Sequence, residues 1–238
     1  MTVKLCWRYN DSMSRSIIFA PDEFYHCYDR GTEKRKIFLN KIDYERFLAL
    51  LFVCNSTERI HLSDYKGRSF DELFVIDRKG SLVDIGVYCL MPNHFHLLLH
   101  EKVDNGISLF MQKLSTAYTM YFNKKYERTG SLFESRFKAE HADDDKYLKY
   151  LFSYIHLNPV KLIQKDWKEK GIKNKKEAVT FLQNYKYSSY VDYLNFNRPQ
   201  SVILNKSAFP EYFNTKDKFE EEIFDWLQLS RLNLDSDN

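Results

Sequence analysis

In Asn93-His94-Phe95-His96-Leu97-Leu98-Leu99-His100, successive side chains fall on opposite faces if the backbone is extended. His94, His96, Leu98 and His100 then share one face and Phe95, Leu97 and Leu99 the other. The second set is wholly apolar and anchors a strand in a core. The first stands two imidazoles side by side, and neutral imidazoles at i and i+2 can converge on one divalent ion. A histidine pair alone equally suits ordinary half-buried packing. Two protein ligands would also hold a metal feebly, so a third donor and a reactive group must come from elsewhere.

Outward from this strand, Met91-Pro92-Asn93 reads as a turn. Leu82 to Leu90 is a strand-like run that, with Leu73 to Ile76, predicts a hairpin around Lys79-Gly80. Phe24 to Tyr28, running into Asp29-Arg30-Gly31, predicts an early strand. Tyr44, Phe47, Leu48, Leu51 and Phe52 recur at helical spacing within residues 40–55, with Asn40 or Asp43 available as the cap. Ile107, Phe110, Met111, Leu114, Ala117, Tyr118 and Tyr121 predict a long amphipathic helix that stops near Gly130. Leu132 to His141 reads as extended. Asp143 to Leu157 reads as a helix whose leading aspartates suit its positive end and which Pro159 terminates. This order is that of an α+β sandwich, an antiparallel sheet with helices packed on one face.

At 238 residues and 44% hydrophobic content the chain can bury one good core with a modest extension. The division expected is an N-terminal arm over 1–21, a main domain over 22–198 and an acidic helical extension over 199–238, with a terminal helix at Phe219 to Leu229. A net charge of +3 does not by itself demand a polyanionic partner. Seven lysines lie between Lys161 and Lys176, a run that reads first as a solvated face, while seven acids follow Lys216. Cys6, Cys27, Cys54 and Cys89 form no CxxC pair and read as reduced core residues. No stretch approaches the roughly 18 apolar residues of a membrane span, so a soluble protein of the cytoplasm is expected. Aromatics interleaved with basic residues, as in Arg136-Phe137-Lys138, suit stacking on unpaired bases beside neutralised phosphates, although a Phe- and Tyr-rich core explains most of them equally well.

The third donor and the reactive group both emerge from the last helix. Tyr147, Tyr150, Tyr154 and Asn158 step by three, four and four and share a face. A tyrosine can attack a phosphodiester, and an Asn amide oxygen one turn away is a hard metal ligand. Because a phenol of pKa about 10 is a poor nucleophile unaided, it needs to sit near an ion or base. Asn158 before Pro159 also suits a helix end, with its amide serving free backbone groups. His156 points away from Tyr154 and reads as a structural residue or a phosphate contact.

Five ordered motifs carry a family resemblance: Tyr25-His26-Cys27-Tyr28-Asp29-Arg30-Gly31; Tyr88-Cys89-Leu90-Met91-Pro92 continuing through Asn93 to Leu99; the segment from Asn123 that ends Gly130-Ser131-Leu132-Phe133-Glu134-Ser135-Arg136; Tyr154-Ile155-His156-Leu157-Asn158-Pro159-Val160; and Tyr187-Ser188-Ser189-Tyr190. Together, over roughly residues 22 to 195, they resemble the REP-associated tyrosine transposases and their insertion-sequence relatives, the single-tyrosine branch of the HUH endonucleases. The resemblance implies a ferredoxin-like or RRM-like palm whose central strand carries the histidines, with the nucleophile on a following helix. It also implies a Mg²⁺ or Mn²⁺ ion held by His94, His96 and Asn158, attack by Tyr154, a 5′-phosphotyrosine and a free 3′-OH. Relatives outside this branch carry Gln where Asn158 stands. Single-stranded or hairpin DNA is the implied partner, with Arg30, Arg128, Arg136 and Lys138 as candidate contacts, no membrane, and either a monomer or a homodimer.

Two rivals compete with this reading. A domesticated DNA-binding protein would keep the fold without cleavage, which the intact His94, His96 and Tyr154 weigh against. A histidine-based phosphohydrolase would want His at position 98, where the chain has Leu98. The histidine pair alone does not distinguish Mg²⁺ from a structural Zn²⁺.

Overall fold

The computed structural model describes residues 17–211, 219–220 and 222–224. Strand β1 (Phe24–Arg30) leads to helix α1 (Lys41–Val53), then β2 (Val83–Met91), β3 (His94–Glu101), helix α2 (Gly106–Lys125) and β4 (Lys138–His141). The strands form one sheet in the order β2-β3-β1-β4 with every neighbouring pair antiparallel. This is the ferredoxin-like βαββαβ arrangement, and it bears out the α+β reading. After it come α3 (Asp145–Leu157), α4 (Trp167–Lys170), α5 (Lys175–Asn184) and α6 (Tyr190–Tyr193).

Local chemistry sets the element ends. The Asn40 side chain accepts from the Ile42 amide at 3.1 Å, while Asp43 accepts from the amides of Leu39 and Asn40 at 2.8 and 3.2 Å. Both residues that the sequence offers as alternative caps therefore act, in one capping box. Asp144 caps α3 by accepting from Tyr147 N at 2.7 Å. Pro159 stops the α-helix, but the chain continues as a 3-10 turn over Asn158–Leu162.

The alternation read in β3 holds. Phe95, Leu97 and Leu99 join Tyr25, Cys27, Ile85 and residues of α1 and α2 in one core, while Leu98 joins Val87, Cys89 and Met91 in a second. Packing on one face holds for α1 and α2 only. The second core is closed by Leu148, Leu151 and Ile155 of α3, by Trp167, Leu182 and Tyr190, and by Phe219 and Ile223. All nine residues of β2 are buried, which requires cover on both sides.

The expected hairpin at Lys79-Gly80 does not form. Asp71–Val75 is a 3-10 turn, started by Glu72 accepting from the Ser69 amide and hydroxyl at 2.6 and 2.7 Å, and Val75 is 76% exposed. The outer edge of β2 is taken by later chain instead: Leu90 N donates to Tyr187 O, Ser189 N to Tyr88 O and Asn205 N to Ile85 O, at 2.9, 3.0 and 3.0 Å. Alternation reveals a strand but not its partner. Of the extended stretch read at Leu132 to His141, only β4 pairs as a strand.

The return segment is locked by Arg198, whose Nε and Nη2 donate to buried Asp192 at 2.7 and 2.6 Å. Farther on, Phe209 lies over Gly86 at the β2 irregularity, where a Cβ would meet the ring at 2.6 Å. Residues 219–220 and 222–224 are helical and buried in part, within the terminal helix read at Phe219 to Leu229; positions 225–229, like 1–16 of the N-terminal arm, lie outside the described residues. No helix among the described residues is long and apolar enough to cross a membrane. Cys27, Cys54 and Cys89 are buried thiols.

Candidate active site

Residues directly opposed across antiparallel strands point to the same side of a sheet. Arg30 faces His94, Tyr28 faces His96, and His26 faces Leu98; from β4, Glu140 faces His26 and Lys138 faces Tyr28. The face under α3 thus carries a polar patch of His26, Tyr28, His94, His96 and Glu140. α3 lays Tyr154 onto it: the Tyr154 ring stands edge-on to His96 at 5.6 Å and to His26 at 6.1 Å, within one chain. Tyr150 stacks on Tyr154 at 5.9 Å and Tyr147 on Tyr150 at 6.1 Å, so the tyrosines share the face that their spacing implies.

Asn158 keeps α-region dihedrals (φ −52°, ψ −38°) although the residue before proline ordinarily avoids them. That holds its side chain in line with Tyr154: Nδ2 donates to the Tyr154 main-chain carbonyl at 3.4 Å, the helix-end role its place before Pro159 also allows, and the amide lies beside the Tyr154 hydroxyl and the His94 imidazole. The sequence-derived quartet His94, His96, Tyr154 and Asn158 is therefore assembled in one place. His156 is elsewhere, fully buried in the second core with Nε2 at 2.9 Å from Ser189 Oγ.

Both histidines of the pair are oriented through one ring nitrogen. His94 Nδ1 lies 2.7 Å from Asn93 Oδ1, and His96 Nδ1 lies 2.9 Å from His26 Nε2. In each ring Nε2 is left for another partner. Burial, reinforced by Lys161, Lys168 and Arg30, pushes His94 down to about 4. Burial with the neighbouring His94 and His26 pushes His96 well below the ordinary histidine range. Both are neutral near pH 7, the state in which an imidazole ligates a metal. Two neutral nitrogens with an amide oxygen in reach fit a divalent cation that completes its shell with phosphate oxygens. No group of three His, Cys, Asp or Glu side chains with metal-holding placement occurs among the described residues, so the donor set does not resemble a closed zinc site.

Behind the pair, Glu140 accepts from the hydroxyls of Tyr28 and Tyr147, each at 2.8 Å, and lies 3.7 Å from His26 Nδ1. Burial would raise its carboxyl, but the neighbouring His26 and the hydrogen bonds from Tyr28 and Tyr147 bring it to about 2. A carboxylate, His26 and His96 thus form a chain, with the outer members orienting the inner one.

The Tyr154 hydroxyl is held above its ordinary range by burial, offset in part by Asn158. Against its oxygen lies a residue that the sequence did not single out: Lys168 Nζ donates to Tyr154 Oη at 2.6 Å and stands 4.1 Å from the ring centroid. Burial lowers Lys168 to about 8. The lysine run around it is mostly exposed, as its composition implies, but Trp167 is buried and turns Lys168 inward.

Of the candidate DNA contacts, Arg30 and Lys138 lie in the sheet rows of His94 and His96. Arg30 is paired bidentately with Glu134, Nε to Oε1 at 3.0 Å and Nη2 to Oε2 at 2.8 Å. Arg128 donates to Asn123 Oδ1 at 3.0 Å. Arg136 is exposed, and Lys138 is exposed on β4 in the same row as Tyr28 and His96.

Residues 50–158 match the family model described as Transposase IS200 like. The resemblance to IS200-like transposases is thereby shown. The IS200-like segment runs from within α1 through Asn158 and contains His94, His96, Tyr154 and Asn158; Lys168 lies beyond it. A solved structure of a REP-associated tyrosine transposase bound to a REP hairpin is similar to this chain, at 11% identity and a TM-score of 0.49, over 84% of this chain and 89% of that one. No curated protein matches the chain.

Proposed function

We propose that this IS200-like chain is a divalent-metal-dependent endonuclease and strand transferase acting on single-stranded or hairpin DNA, with Tyr154 as nucleophile. The observation that carries this reading is the convergence, in one chain, of Tyr154 and Asn158 from α3 on His94 and His96 from β3. His94, His96 and Asn158 would hold a divalent ion, Asn158 and phosphate oxygens favouring Mg²⁺ or Mn²⁺, and such an ion would neutralise charge on the scissile phosphate. Tyr154 Oη attacks phosphorus, a 5′-phosphotyrosine forms, and a 3′-OH leaves. The phosphotyrosine ester conserves the bond energy, so the same residues rejoin the strand to another 3′-OH without a nucleotide cofactor. The protein's share is to align nucleophile and phosphate. A site complete in one chain is sufficient as a monomer, and an active pool in the cytoplasm, on the nucleoid when DNA-bound, follows from the substrate.

The test is a hairpin oligonucleotide with a single-stranded flank, labelled at either end. Wild type in Mg²⁺ or Mn²⁺ should carry the 3′-end label on protein and release the 5′-labelled fragment with a 3′-OH, and EDTA should abolish both. DNA binding with no adduct in any divalent metal would support a domesticated binding protein instead. Hydrolysis of mononucleotides that survives Tyr154→Phe but not His96→Ala would support a phosphohydrolase.

A further inference from the structure

Lys168 belongs to no motif read from the sequence and lies ten residues past the IS200-like segment. It is nonetheless the cation against the attacking oxygen. Its stem lies over the Tyr154 ring, with Nζ 4.1 Å from the centroid, and it follows Trp167, which is 1% exposed and fixes the start of α4. A lysine drawn out of water in this way loses hydration and side-chain entropy, and among the contacts that offset this is a hydrogen bond to Tyr154 Oη at 2.6 Å.

Among the described residues, the other groups that act on the Tyr154 hydroxyl bring it no positive charge. Asn158 of the same turn is neutral, Cys89 of β2 and Glu140 of β4 raise the hydroxyl, and His96 and His26 present ring edges. Burial opposes formation of a phenolate, and Lys168 is placed to oppose burial.

Resting on the endonuclease reading above, we infer that Lys168 is a catalytic residue whose ammonium donates to Tyr154 Oη and stabilises the negative charge that develops there as the oxygen attacks. In that step the Oη proton passes to water, the Oη–P bond forms, and the P–O3′ bond breaks with its electron pair on O3′, which takes a proton from water. On rejoining, the same ammonium stabilises the phenolate as it leaves. A preorganised donor aimed at an oxyanion is worth about 100- to 1,000-fold in rate.

Lys168→Met keeps the stem over the ring and removes the donor. Under single-turnover conditions at saturating oligonucleotide, its adduct formation should fall about 100-fold or more, with oligonucleotide affinity close to wild type. Lys168→Arg, which keeps a charged donor, should retain most of the rate. Saturated cleavage at the wild-type rate in Lys168→Met would overturn the role, as would a loss confined to affinity, which is the mark of a simple phosphate contact. Wild type assayed alongside separates the two failures: no adduct from wild type marks failure of the endonuclease reading, and equal adduct formation by wild type and Lys168→Met marks failure of Lys168.

Discussion

His26→Phe probes how the proposed metal-binding pair, His94 and His96, is held. The substitution keeps an aromatic ring against Tyr28, now at 4.8 Å, and against Tyr154, but removes the 2.9 Å bond from His26 Nε2 to His96 Nδ1. His26 and His96 are 3% and 6% exposed, so water does not readily replace the lost partner. Leaving a buried ring N–H unpaired costs about 1–3 kcal/mol. The unpaired His96 can recover that cost by turning, which takes Nε2 away from His94 and Asn158. Loss of an orienting partner behind a metal-bound histidine lowers affinity about 10- to 100-fold, or about 1.4–2.8 kcal/mol, the same range. The assay is Mn²⁺ titration followed by the electron paramagnetic resonance of free Mn²⁺, in a Tyr154→Phe background with bound oligonucleotide so that nothing turns over. Glu140→Gln should move affinity the same way but less, since its contact with His26 is 3.7 Å. A folded His26→Phe protein that binds Mn²⁺ as tightly as its parent would refute the orienting role.

Metal affinity should be markedly weaker without oligonucleotide than with it, because the chain offers only two imidazoles and an amide; equal affinities by calorimetry would contradict that donor set. Arg198→Met leaves Asp192 buried without its guanidinium, at a cost of about 3–5 kcal/mol, read as a lower urea midpoint, and Asp192→Asn added to it should recover part of the loss. His156 is held at about 3 against an ordinary 6.5, chiefly by burial. The unfolded chain therefore takes up this proton first, so the His156 contribution is complete above about pH 6.5 and is lost as pH falls toward 3. His156→Phe should flatten the urea midpoint across that window, and an unchanged slope would count against the burial.

The strand alternation of residues 94–100, the helical spacing of α1, α2 and α3, and the 147-150-154-158 face were all legible because each is a local periodicity. The sheet order was not written in any single segment. Leu73 to Ile76 looks like a partner for β2, yet the edge is filled by Tyr187 and Ser189, far away in sequence, through backbone bonds and the Ser189 hydroxyl, which accepts from Tyr88 N at 3.0 Å, a pairing that no local periodicity records. Cover on the second face was missed for a related reason: α3 was read, but not the burial of every residue of β2. The histidine pair, Tyr154 and Asn158 could be named from spacing and motif. Lys168 could not, because its neighbours make it look solvated, and the one available signal was Trp167, a large apolar residue inside a charged run. His26 stood in a quoted motif, but its bond to His96 depends on the β1–β3 register.

The tryptic peptide Tyr150–Lys161 contains both Tyr150 and Tyr154, which makes the identity of the nucleophile measurable in one experiment. After Mn²⁺-dependent reaction with a cleavable oligonucleotide, nuclease trimming and digestion, fragmentation mass spectrometry should place a nucleotide 5′-phosphate on Tyr154, and Tyr154→Phe should yield no modified peptide. A nucleotide on Tyr150 or on another residue, or an adduct of undiminished yield in Tyr154→Phe, would contradict cleavage by Tyr154.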